Sequence, residues 1–149
     1  MRNYVFVAAV LVGLGILYWA VSPPNPTPSG ATSAQSAGGA EQGAPIVEVK
    51  LPVQLSANAS IGKNVFDAKC AVCHAASAAG QEGVAPPLVH KIYEPSHHGD
   101  ESFWIATQRG VRAHHWRFGD MPRIEGLARA DVMMVVAYIR ELQRENGIN

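Results

Sequence analysis

The sequence predicts an all-α protein, with about three main helices joined by two long loops and preceded by a single transmembrane helix. Three observations lead there. Apolar residues recur at helical spacing in three segments beyond residue 56, the stretches between these are rich in Gly, Ala and Pro, and residues 4–21 carry no charge. A length of 149 residues suits one small domain with appendages. The formal net charge of zero supplies no basic field of the kind nucleic acids need, which sets that class aside. Hydrophobic residues make up 48% of the chain, but the uncharged run takes a large share of them.

Tyr4 to Val21 reads YVFVAAVLVGLGILYWAV. A helix of that length spans about 27 Å, close to the roughly 30 Å of a bilayer's hydrocarbon core. Arg2 precedes it, and Tyr18 and Trp19 stand near its far end, where amphipathic rings favour the membrane interface. Residues 1–21 are therefore expected to form an uncleaved signal-anchor. The competing reading, a cleaved secretory signal, needs a shorter apolar run and a small-residue site; Ala20-Val21-Ser22 is followed by Pro23, a poor residue after a cut. Residues 22–45 hold proline in their first half, small residues throughout and almost no large apolar side chain, so they cannot bury enough surface to fold. They read as a linker with a reach of about 27 Å, or simply as an inert spacer. Residues 46–149 form the predicted globular domain.

That domain begins with an extended lead-in over 46–56, where Pro52 argues against a core strand. Ser56 or Ser60 can cap the first helix, which runs to Cys70 with Ile61, Val65 and Phe66 on one apolar face. A loop over 75–95 follows. A short helix over 100–108 has acidic residues in its first turn, Phe103, Trp104 and Ile105 as its apolar side chains, and Gly110 as its C-terminal cap. A second loop covers 111–126. The last helix, 129–146, repeats Val132, Val135, Val136, Ile139 and Leu142 at helical spacing and stops before Gly147. Loops this long in so small a domain imply that a bound group supplies part of the core.

The identity of that group follows from Cys70-Ala71-Val72-Cys73-His74. Two cysteines separated by two residues, with histidine directly after, form the signature of c-type haem attachment. The thiols can add to the two haem vinyl groups as thioethers, and the histidine offers a neutral imidazole to the iron. A thioredoxin-like redox pair would need a β-α-β setting, which is missing from the pattern. A zinc site would have to recruit ligands from His97, His98, His114 and His115, since no further cysteine exists. One covalently bound haem c, held through Cys70 and Cys73, is the expected cofactor. With the haem left out, an apolar slot is expected between Cys70, Pro86, Trp104 and Met121.

His74 would supply one axial ligand. Candidates for the other are Met121, Met133, Met134 and the histidines at 90, 97, 98, 114 and 115. Met133 and Met134 fall within the last helix, where packing explains them. Met121 lies in a loop between Gly119, which permits close backbone approach, and Pro122, which fixes the chain beyond it. Met121 is therefore the expected second ligand of the metal, with His114 or His115 as the alternative. Six ligands leave no open position, and a thioether favours ferrous iron. Such a site moves single electrons and requires no catalytic acid, base or nucleophile.

The order of these features resembles the class I c-type cytochromes, in particular small membrane-anchored bacterial forms. The resemblance covers roughly Ser56 to Gly147 and rests on Gly62 and Phe66, the Cys70–His74 motif, Pro86 and Leu88, Met121-Pro122, and Tyr138. It implies a cytochrome c-like fold in which the first and last helices cross near Gly62, Phe66 and Tyr138. It implies too that the Pro86 carbonyl receives the far N–H of the His74 ring, fixing its tautomer. Trp116, Arg112 or Arg117 would bond a haem propionate. The two histidine pairs depart from common family members. They are read as exposed polar residues, as a second metal site for copper or zinc, or as a source of pH sensitivity.

The expected function is a non-enzymatic carrier of single electrons between respiratory complexes, with redox proteins and the membrane as partners. Its expected location is the bacterial inner membrane, crossed once, with the haem domain facing the periplasm. Two alternatives are a haem-bearing subunit of a membrane oxidase, reductase or dehydrogenase, and a haem sensor or ligand-binding enzyme.

Overall fold

The computed structural model describes residues 41–149. The expected membrane segment 1–21 and residues 22–40 of the expected linker lie outside them. Among the described residues no helix is long and apolar enough to cross a membrane.

Helix α1 spans Ala57–Lys69 and starts where the Ser56 side chain accepts the Ala59 N–H at 3.2 Å. It ends at Cys70, whose N–H still reaches the Phe66 carbonyl at 2.7 Å. After that single irregular residue a one-turn helix, α2, covers Ala71–His74. A 3-10 turn over Lys91–Tyr93 interrupts the first long loop, a piece of regular structure that loop composition did not signal. Helix α3 spans Asp100–Arg109 and α4 spans Arg129–Glu145. The side chain of Asp131 accepts the Ala128 N–H at 2.9 Å and so closes the front of α4. Its other end is closed by Asn146 and by Gly147 at φ +74°, with the Ile148 N–H returning to the Gln143 carbonyl at 2.9 Å. No strand forms among the described residues; two isolated bridges, Gln81 with Ala85 and Val111 with Met121, are the extent of β pairing there. The domain is all-α.

Helices α1 and α4 cross with almost no separation. A Cβ on Gly62 would lie 1.8 Å from the Met134 carbonyl oxygen, so only glycine lets the two backbones meet there. Phe66 and Tyr138 pack edge to face across the same crossing, ring centres 5.5 Å apart. Ala59, Ala78, Val89, Val135, Ile139 and Leu142 complete this core. The crossing corrects one expectation. Ile61, expected on the buried face of α1, is 54% exposed, because contact through Gly62 buries the stripe Ala59, Gly62 and Phe66 and turns Ile61 about 100° away. Ile105 is likewise exposed on α3, which buries Thr107. All five apolar positions expected on α4 are buried.

Helix α3 packs on α4 around a buried cation. Arg140, 7% exposed, donates to Asp100 Oδ1 at 2.9 Å, to the Tyr93 carbonyl at 2.7 Å, to Gln143 Oε1 at 2.6 Å and to the His98 carbonyl. Its guanidinium also lies over the Phe103 ring, 5.2 Å from the centroid. One side chain thereby ties α4, the start of α3 and the loop between the 3-10 turn and α3.

The lead-in, together with Gly43 and Ala44 from the end of the expected linker, crosses this domain as an extended strap. Gly43 donates to the Glu82 carbonyl and Glu82 returns a bond to Ala44, both at 2.8 Å. Ile46 and Val47 share the Ala79 carbonyl, and Lys50 exchanges two bonds with the Asn146 side chain, at 2.9 and 2.8 Å.

Candidate functional site

Cys73 and His74 are presented by the single turn of α2, and Cys70 by the irregular residue that joins it to α1. The Cys70 carbonyl accepts from both Cys73, at 3.1 Å, and His74, at 2.9 Å, which fixes the spacing of the three side chains. Cys73 is exposed and Cys70 is half-buried; burial, and secondarily the neighbouring Cys73, pushes the Cys70 thiol up to about 11.

His74 is buried at 8% exposure, and its Nδ1 lies 2.8 Å from the Pro86 carbonyl oxygen. A carbonyl only accepts, so Nδ1 carries the proton and Nε2 is left with a free lone pair. Burial lowers the His74 pKa, against a smaller opposing effect of that hydrogen bond, which keeps the ring neutral. Gly80 makes the arrangement sterically possible. It has φ +71°, bonds the His74 carbonyl at 3.0 Å, and a Cβ there would stand 2.4 Å from the Pro87 nitrogen. Gln81 then donates to the carbonyls of Val72, at 2.9 Å, and Cys73, at 3.0 Å, so one amide holds the exposed end of the turn. Neither Gly80 nor Gln81 stands out in the sequence; the Gly-rich loop gives a signal for glycine only in general, and nothing marks the glutamine.

The structure thus brings Cys70, Cys73, His74 and Pro86 into one bonded unit. Met121 stands on a separate loop, half-buried. Its backbone exchanges two 2.9 Å bonds with Val111, and Gly110, at φ +74°, lets the Met121 carbonyl approach where a Cβ would be 2.5 Å away. Asp120 accepts the Ala113 N–H at 2.8 Å and closes the loop from within. Cys70, Pro86, Trp104 and Met121, the four residues expected to line a slot, are all only partly buried.

The cytochrome c family model matches residues 59–143, more than half of the chain. The chain belongs to the cytochrome c family. No curated protein and no solved structure matches it.

Membership in the cytochrome c family implies haem c, and the residues of this cytochrome fit it. Cys70 and Cys73 supply the two thiols, and His74 supplies a buried imidazole whose unprotonated nitrogen is Nε2. A further sign comes from Trp116, stacked on Phe118 at 5.7 Å and set edge-on to His90 at 5.2 Å. Its Nε1 is buried with no hydrogen-bond partner among the described residues. The Tyr93 hydroxyl feels this N–H, which opposes the rise that burial gives its pKa, but it lies outside hydrogen-bond geometry. A buried indole N–H without an acceptor fits an anionic group such as a propionate. Arg112 and Arg117, the other candidates for that contact, are exposed.

The histidine pairs gather elsewhere in this cytochrome. His114 and His115, held as alternative iron ligands, face His97 and His98: ring centres are 4.2 Å apart between His114 and His115 and 5.4 Å between His98 and His115. His115 is exposed, yet its pKa lies below the ordinary histidine value, first through local desolvation and then through the charges of His114, His98 and His97.

Proposed function

We propose that the chain is a membrane-anchored, mono-haem class I cytochrome that carries single electrons between respiratory complexes. In this reading it is held in the bacterial inner membrane by residues 1–21, with the haem domain in the periplasm and redox proteins as donor and acceptor. One observation carries the site: His74 is buried and neutral, with Nδ1 committed to the Pro86 carbonyl. Cys70 and Cys73 would bond the cofactor covalently, each S–H adding across one vinyl group, sulfur to one carbon and hydrogen to the other. His74, through Nε2, and Met121, through its thioether, would be the residues that ligate the iron. The bound haem would supply a one-electron Fe(II)/Fe(III) couple. Val111 and Gly110 hold the backbone of Met121 in place. Val72, 78% exposed between the cysteines, leaves an apolar contact where a redox partner would meet the turn. Support for an anchor is the uncharged run from Tyr4 to Val21.

The test is the near-infrared absorption of the oxidised full-length protein, produced with haem-attachment machinery, against Met121→Ala. A methionine-to-iron charge-transfer band present in the wild type and lost in the variant is the expected result. Absence of the band from the wild type would reject methionine ligation and leave either a histidine-ligated iron or an open position, the second favouring the sensor or ligand-binding reading.

A further inference from the structure

His97 and His98 lie before α3, and His114 and His115 lie after it, yet the fold puts the two pairs on one face. One ring nitrogen from each of His97, His98 and His115 lies within 4.8 Å of the other two. The ring centres of His97 are 4.7 Å from His98 and 5.5 Å from His115. Burial does not explain the gathering, because His97 and His115 are exposed and His98 is half-buried. Nor do counter-charges: none of the ion pairs found among the described residues includes a histidine. Each of the three rings brings a nitrogen to the same small space, which is the arrangement a shared cation requires.

Both halves of the cluster are anchored. The Glu94 carbonyl accepts from His97 at 3.0 Å and from His98 at 2.8 Å, and Arg140 holds the His98 carbonyl from inside the core. On the opposite side Asp120 and the Val111–Met121 pair close the loop that carries His115. The chemistry of His98 is committed as well. Its Nδ1 lies 2.6 Å from the Ile92 carbonyl oxygen, so that nitrogen carries the proton and Nε2 presents a lone pair. A metal-bound histidine is oriented in the same way, by giving its other ring N–H to a carbonyl.

We propose that His97, His98 and His115 form a binding site for one divalent transition-metal ion, Zn²⁺ or Cu²⁺, through three imidazole nitrogens and a water. An all-imidazole donor set suits these ions and leaves the hard cations, which prefer oxygen, without a ligand. Tetrahedral nitrogens at a usual zinc distance of about 2.05 Å stand roughly 3.3 Å apart. The widest pair here therefore closes by about 1.5 Å at most, a side-chain rotation open to exposed rings. The bound ion ties residues 94–98 to the loop closed by Val111 and Met121. The site is compatible with Met121 on the haem iron and would be excluded only by iron ligation through His115, which the Met121→Ala near-infrared comparison tests separately.

Calorimetric titration with ZnCl₂ of the tag-free, haem-loaded full chain, first stripped with a chelator, tests the site. The expected result is saturable uptake of one equivalent, weakened at least tenfold in His97→Ala and abolished in His97→Ala/His115→Ala. His114→Ala, a control, should bind within about twofold of the wild type. The haem absorption spectrum shows whether each variant has kept its fold. A second readout needs no variant: Cu²⁺ added to the wild type should give an electron paramagnetic resonance signal split by several equivalent nitrogens. No saturable uptake of Zn²⁺, uptake that survives the double substitution, or copper ligated only by oxygen would each overturn the proposal.

Discussion

At the scale of single residues, two thiols that are three positions apart live in different surroundings. Cys73 is exposed, whereas burial keeps the Cys70 thiol protonated until the pH approaches about 11. The thiolate is the reactive form, so the folded chain before haem attachment should label with iodoacetamide at Cys73 first. Labelling at Cys70 should then climb about tenfold per pH unit between pH 8 and 10, because its thiolate fraction is still far from saturation. Peptide mapping against time distinguishes the two; equal rates would mean that α2 and its burial are absent until haem is attached. The cysteines and His74 were legible because their spacing is local. Gln81 and Gly80 were not, because their partners, the carbonyls of Val72, Cys73 and His74, are defined only once the loop has folded back.

At the scale of elements, the α1–α4 crossing depends on a missing side chain. Gly62→Ala would push a methyl group into the backbone at Met134, and the helices would have to move apart. That should cost on the order of 3 kcal/mol and lower the melting temperature by at least about 12 °C. Gly147→Ala is the matched control, with φ +74° but nothing within 4 Å, and should cost only about 1 kcal/mol. Circular dichroism melts of the haem-loaded proteins check both; similar shifts would show that the crossing tolerates separation. The lengths of α1, α3 and α4 were readable from caps and periodicity, since Ser56, the acidic start of α3 and Gly147 act within a turn of themselves. Of the face expected on α1, Phe66 is buried and Val65 packs against the core, and only Ile61 was misplaced. Hydrophobicity points to the larger side chains, while the close approach selected the stripe with the smallest one. Arg140 was equally silent, because a charged residue in an amphipathic helix reads as solvent-facing until the carbonyls of Tyr93 and His98 arrive beside it.

At the scale of the whole domain, fewer than half of the described residues are helical, and the buried cluster is concentrated at one crossing. The Met121 loop contributes no residue to that cluster and the loop after His74 only Ala78 and Val89, so both have apolar surface left for a further group to pack on. Burying on the order of 200 Å² of their apolar area against a macrocycle would contribute about 5 kcal/mol. A Cys70→Ala/Cys73→Ala chain, which cannot attach haem, should therefore melt about 20 °C or more below the wild type. A melting point within a few degrees would show that the loops are self-supporting. Two long loops in the sequence already implied a bound group, whereas the joining of the histidine pairs was one of three readings and was not decided there, since it depends on how α3 turns the chain between them. The lead-in strap has a mechanical side. A pull entering at residue 41 loads the rungs in order, first the exchange of Gly43 and Ala44 with Glu82, then Ala79, and only afterwards Asn146 at the far end of α4. Between Ala79 and Glu82 sit Gly80 and Gln81, which grip the carbonyls of the Cys70–His74 turn. Tension on the chain ahead of the domain is therefore felt beside His74 before it reaches the helical core.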